Sequence, residues 1–169
     1  MKLFSDPLKT LRQLYINQLQ RRVSAEQQIA KALPEMIEKA TDTQLKQAFQ
    51  SQTQETTAQV ERLQGMLNQI SGNAEPLKCK ELAALIDEAD EMVKKVSDDA
   101  VRDVALISVA QRIKHYEIAM YGELRRVAQI VGEPTHADLL DQTLHEEWHA
   151  DHLLTSIADR LIPEAEKAA

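Results

Sequence analysis

Glu26, Glu55, Glu117 and Glu147 interrupt apolar stripes at helical spacing, where acidic side chains are least expected. One stripe reads Tyr15, Leu19, Arg22, Glu26, Ile29 and Leu33, in alternating steps of four and three. A second reads Leu106, Ala110, Ile113, Glu117, Met120 and Leu124, and a third Leu140, Leu144, Glu147, Asp151 and Leu154. In the remaining one, Gln52, Glu55 and Gln59 run along one edge of the apolar positions Leu45, Phe49 and Leu63. Residues three or four apart share one side of a helix, so these acids should point inward. An inward carboxylate is costly unless it is ion-paired or bound to metal.

A two-metal carboxylate centre in a helical bundle takes one Glu from each of two helices and a two-ligand motif from each of the other two. In that reading Glu26 and Glu117 are terminal ligands, and Glu55 and Glu147 bridge. Asp151, or His149 in its place, completes one metal. Glu146 stands in a literal Glu-x-x-His, Glu146-Glu147-Trp148-His149, on a flanking stripe that can lean inward. Iron or manganese fits such an oxygen-rich set, with peroxide or dioxygen as the small oxidant substrate. The second helix departs from the motif. Glu55 is followed by Ala58 where His is wanted, and Gln59, one turn on, is a neutral amide. The other reading is a metal-free polar core. Arg22 precedes Glu26 on the same face, and Arg112, Lys114 and His115 surround Glu117 in sequence.

Four long helices must position these residues. The first is expected from Asp6, with Pro7 just inside, to Leu33, where Pro34 should kink or end it, with a short turn on to Ala40. Thr41 and Asp42 can cap the second, and Gly72-Asn73 stops it. A shorter helix is expected over residues 78–96, with Ser97 and Asp98 capping the third long helix. Gly132-Glu133-Pro134 breaks the chain, and the fourth long helix runs from Thr135 to Leu161. The two tight turns make antiparallel hairpins, and a middle connection of about 25 residues can cross the length of a bundle. The expected fold is therefore all-α. It is a ferritin-like four-helix bundle, one domain over residues 1–169, with two hairpins joined by a long crossover that contains an additional short helix. Glu26 and Glu55 are equidistant from the first turn, Glu117 and Glu147 from the last. Each pair should lie roughly 20 Å from its turn, at matching height.

Composition narrows the function class. In 169 residues there are 4 Gly and 5 Pro, a helix-former's palette. The net charge of −7 argues against nucleic acid as the main partner. Arg21-Arg22 and Arg125-Arg126 are too small as basic patches to change that. No stretch approaches the ~20 apolar residues of a membrane span. The single cysteine, Cys79, flanked by Lys78 and Lys80, fits a reducing, cytoplasmic compartment. His145, His149 and His152 read as a solvated stripe.

Several segments resemble a known family. Leu14-Tyr15 through Ala25-Glu26, Lys31-Ala32-Leu33-Pro34, Glu55-Thr56 and Val60-Glu61-Arg62-Leu63 look like its first hairpin. Lys78-Cys79 with Leu82 resembles its crossover. His115-Tyr116-Glu117-Ile118-Ala119, Tyr121-Gly122, Thr143-Leu144, Glu146-Glu147 and Ala150-Asp151 resemble its second hairpin. This is the bacterial ferritin-like YciE/YciF group of stress-induced proteins, with the YciE branch the nearer. The resemblance implies a bundle related to rubrerythrin-type di-iron domains, a homodimer and induction in general or osmotic stress. It also implies His in many members where this chain has Gln52 and Gln59.

Overall fold

A computed structural model describes residues 7–73 and 75–168. Five helices follow in order: α1 Leu11–Lys39, α2 Thr43–Ser71, α3 Lys80–Lys94, α4 Asp99–Ile130 and α5 Pro134–Ala168. The four long ones form a ferritin-like bundle, with α1 against α2, α4 against α5, and α2–α5 and α1–α4 contacts closing the square. The crossover helix α3 packs on α4 and α1. None of the described helices is long and apolar enough to cross a membrane.

The helix directions follow from the ends. The first turn, at Thr41–Asp42, meets Asp103 near the start of α4 and Arg160 near the end of α5. At the other end Arg12 of α1 meets Glu133 in the α4–α5 turn. The two turns therefore lie at opposite ends, and α2 and α4 run parallel across the diagonal, as the long crossover requires.

Local signals explain most boundaries. Asp42 and Asp98 cap α2 and α4 by accepting from Leu45 N and Val101 N. Gly72 ends α2 in the left-handed conformation at φ 66°, which glycine adopts without steric cost. α1 begins later than expected. Thr10 caps it in a reciprocal box with Gln13, Leu8 and Leu11 are exposed rather than core, and Asp6 lies outside the described residues. Pro34 does not end α1, which continues to Lys39. Pro34 lies on the exposed side, while Met36, Ile37 and Ala40 beyond it pack into the core. Burying that last turn offsets the hydrogen bond the proline cannot make. α5 likewise passes Pro163 and runs beyond Leu161, because Ala165 still finds cover.

Asp103 locks the first turn to α4. Its buried carboxylate accepts from Thr41 N at 2.8 Å, Thr41 Oγ1 at 2.7 Å and Asp42 N at 2.7 Å. Replacing Asp103 with Ala removes the acceptor of two donors on exposed Thr41 and one on half-buried Asp42. The expected loss is about 3 kcal/mol, read as a lower urea midpoint at unchanged slope.

Candidate functional site

The apolar interior is divided in two. One cluster, with Ile29, Leu33, Phe49, Leu106 and Leu161, fills the end near the first turn. The other, with Tyr15, Leu19, Leu63, Leu124 and Leu140, fills the opposite end. Between them lies a polar layer of Arg22, Glu26, Gln52, Thr56, Gln59, Lys114, Glu117 and Glu147, all buried. The layer falls at mid-bundle, the height expected from the spacing to the turns.

Two buried cations organise it. Arg22 Nε stands 3.3 Å from Glu26 Oε1, and Arg22 Nη2 3.8 Å from Glu117 Oε1. The guanidinium is held 5.2 Å from the ring centroids of both Tyr116 and Tyr121, a favourable cation–π placement. Tyr121 donates to Glu26 Oε1 at 2.6 Å. Lys114 Nζ lies 2.7 Å from Glu117 Oε2 and also pairs with Glu147 Oε2. Gln59 Nε2 donates to Glu147 Oε1 at 2.7 Å and to Glu146 Oε2 at 3.1 Å. Arg62 then clamps Glu146 through two bonds of 3.0 and 3.1 Å.

The structure thus brings Glu26, Glu117 and Glu147 together in the interior. Glu55 is half-buried at the margin. Burial, and next Glu147, push its carboxyl upward, while Lys114 opposes. Glu146 is taken by Arg62. Asp151 lies beside His115, at 3.5 Å, and Gln111. His149 is exposed, so its ring is not part of the interior set. Lys114 and Tyr121 complete the layer, and the stripe read through Ile113 and Met120 passes over both. Lys114 sits one position outside the stripe at Ile113 and three before Glu117, a spacing that puts both on one face.

The buried cations and acids hold one another's charge state. Arg22 stays charged, because Glu26, Tyr121 and Glu117 outweigh the desolvation that opposes it. Lys114 is likewise held in its charged form by Glu117 and Glu147 against burial. Burial first, and the neighbouring Glu117 second, push the Glu147 carboxyl up to about 8. Burial first, and Glu26 next, likewise raise the Glu117 carboxyl, while Lys114 and Arg22 oppose. Two cations thus stand among three carboxyl groups.

This set does not fit a two-metal centre. An ammonium lies between the two carboxylates that would bridge or cap a metal, and a guanidinium lies between the other facing pair. The second helix contributes the amides of Gln52 and Gln59 rather than nitrogen ligands, and His149 faces solvent. Among the described residues no group of three or more His, Cys, Asp or Glu is placed to hold a metal ion.

Comparison with known proteins follows the fold. A family profile described as a domain of unknown function (DUF892) matches residues 10–167. Protein YciF of Escherichia coli (strain K12) is 37% identical over 152 residues, covering 89% of this chain and 92% of the relative. The crystal structure of the E. coli stress protein YciF superposes with a TM-score of 0.87 at 36% identity, over 92% of this chain and 99% of that one. YcfI from Rhodopseudomonas palustris gives 0.87 at 37% identity, over 90% and 98%. A Xanthomonas campestris protein shares the fold at 17% identity, with a TM-score of 0.77 over 94% and 98%.

The raised Glu147 carboxyl sets a pH dependence. Between its ordinary value of 4.5 and about 8 the folded chain holds a proton that the unfolded chain has released. Stability is therefore highest below the unfolded value and falls as pH rises through that window, by at most about 1.4 kcal/mol per pH unit. Urea unfolding from pH 5 to 9 should show the decline, and Glu147→Gln should flatten it.

Proposed function

The chain belongs to the DUF892 family, and we infer that within it this protein is a non-enzymatic stress-response scaffold whose core carboxylates are held by its own cations. One observation carries this reading. Lys114 Nζ lies between Glu117 and Glu147 while Arg22 faces Glu26 and Glu117, so cationic side chains stand where a di-metal protein needs its ions. A stress role comes from the relative named as the E. coli stress protein YciF. A cytoplasmic homodimer placed on the YciE side of the family is part of the same reading. It is supported by the sequence motifs and by a single thiol that needs no oxidising compartment.

The competing reading keeps an iron or manganese pair on Glu26, Glu55, Glu117 and Glu147, acting on peroxide or dioxygen. Metal has to displace both cations to bind there, and a buried ammonium or guanidinium without its carboxylates is strongly disfavoured. Protein purified without chelator and then loaded with iron or manganese should hold no stoichiometric metal. One or more ions per chain, with anomalous scattering among Glu26, Glu117 and Glu147, overturns the scaffold reading.

Breaking the layer should damage the fold. Lys114→Met leaves Glu117 without its closest cation, and unfolding free energy should drop by about 3–5 kcal/mol. Glu117→Gln, which retains shape, should leave the stress phenotype intact wherever the protein still folds. Loss of the phenotype with an intact fold counts against a scaffold.

A further inference from the structure

Helix α5 carries His145-Glu146-Glu147-Trp148-His149, a literal His-Glu-x-x-His. On a helix this spacing puts two imidazoles on one face, where they can share a metal ion, with the Glu as base for a bound water. Both histidines are exposed. They lie one turn apart, at a Cβ separation of about 5–6 Å. His152 shares the face but stands roughly 10 Å along the axis from His145, too far to join that pair. Trp148 packs edge-on against His145, with ring centroids 5.6 Å apart, so the chain's single tryptophan adjoins the two histidines.

The surroundings suit a cation. Asp141, one turn before His145, has its Oδ2 3.6 Å from His145 Nε2, while Arg125 takes its Oδ1 at 2.8 Å. Glu55 of α2 is near enough to His149 for the two to interact electrostatically. The chain as a whole carries a net charge of −7. Imidazole suits zinc and copper(II), whereas iron(II) and manganese stand lower in the same order of affinity.

The glutamate is where the motif departs from a hydrolase. Glu146 Oε1 accepts from Arg62 Nη2 at 3.0 Å and from Gln142 Nε2 at 2.9 Å. Its Oε2 accepts from Arg62 Nη1 and Gln59 Nε2, both at 3.1 Å. Burial works to raise this carboxyl, and the bonds from Arg62 and Gln59 more than offset it. With both oxygens occupied and its charge held by a guanidinium, Glu146 is not free to take a proton from a metal-bound water. The two histidines are left as a binding pair without a base.

We propose that His145 and His149 chelate one divalent ion of the zinc–copper class at the surface of α5, and hold it without hydrolytic chemistry. Two imidazoles anchor the ion and water fills its other positions, since among the described residues no group of three or more His, Cys, Asp or Glu is placed around one. The site is separate from the polar layer. Neither imidazole enters the interior, and the ligands are nitrogens rather than carboxylates. Iron or manganese loading tests the core, and zinc or copper tests this pair.

The test titrates the full chain with zinc by calorimetry and with copper(II) by quenching of Trp148 fluorescence. One ion per chain should bind, copper more tightly than zinc. His145→Ala and His149→Ala, both exposed changes that leave the core intact, should each weaken binding about a hundredfold, the lower end of what a second linked contact contributes. His115→Ala, at an exposed histidine of α4 beside Asp151, should leave it unchanged. Equal affinity in native protein and His145→Ala overturns the proposal, as does an equal loss in His115→Ala. Casein cleavage by the zinc-loaded chain that is lost in Glu146→Gln overturns it as well.

Discussion

Burying charge at the centre of a four-helix bundle is the constraint on which the rest of this structure depends. A carboxylate without a partner in such an interior is strongly disfavoured. Three acidic side chains lie there, each with partners from its own helix or from facing ones. Glu26 is held by Arg22 one turn away and by Tyr121 of α4. Glu117 and Glu147 share Lys114. Partners on α1, α4, α2 and α5 must arrive at one height for any of them to be stable, so the layer specifies the register of the whole bundle. Apolar contacts alone would tolerate sliding by a turn, and this network does not.

The ends of the bundle enforce the same register. Asp103 fastens the first turn to α4, and Arg160 of α5 reaches Asp42 at the same end. Arg12 and Glu133 close the other end. With both ends fixed, two apolar clusters fill the space on either side of the layer. The parallel relation of α2 and α4 follows from the crossover, because α3 returns the chain along the bundle before α4 begins. That return also delivers Cys79 to the side of α4, where Tyr116 meets it.

The contrast with a di-metal bundle is one of counter-ions. Carboxylates facing one another at mid-height require positive charge between them, and either metal ions or side chains can provide it. A lysine or arginine is part of the chain and, unlike a metal ion, cannot dissociate. Burial raises the Glu147 and Glu117 carboxyls, which makes that balance sensitive to pH.

Much was legible in the residues alone. Helical periodicity, Asp42 and Asp98 as caps, Gly72 as a stop and one long connection determined the bundle and its hairpins, because these are local preferences of the backbone. Stripe spacing also placed Glu26, Glu117 and Glu147 inside, since burial of one helical face follows from its period. Tertiary packing decided the rest. It carried α1 through Pro34, because the core rewarded the turn beyond. It turned His149 out to solvent and gave Glu146 to Arg62, which comes from another helix. Above all it set Lys114 between two carboxylates. The acids and their same-helix cations were readable one helix at a time, but the contacts of Arg22 with Glu117 and of Lys114 with Glu147 form only across helices.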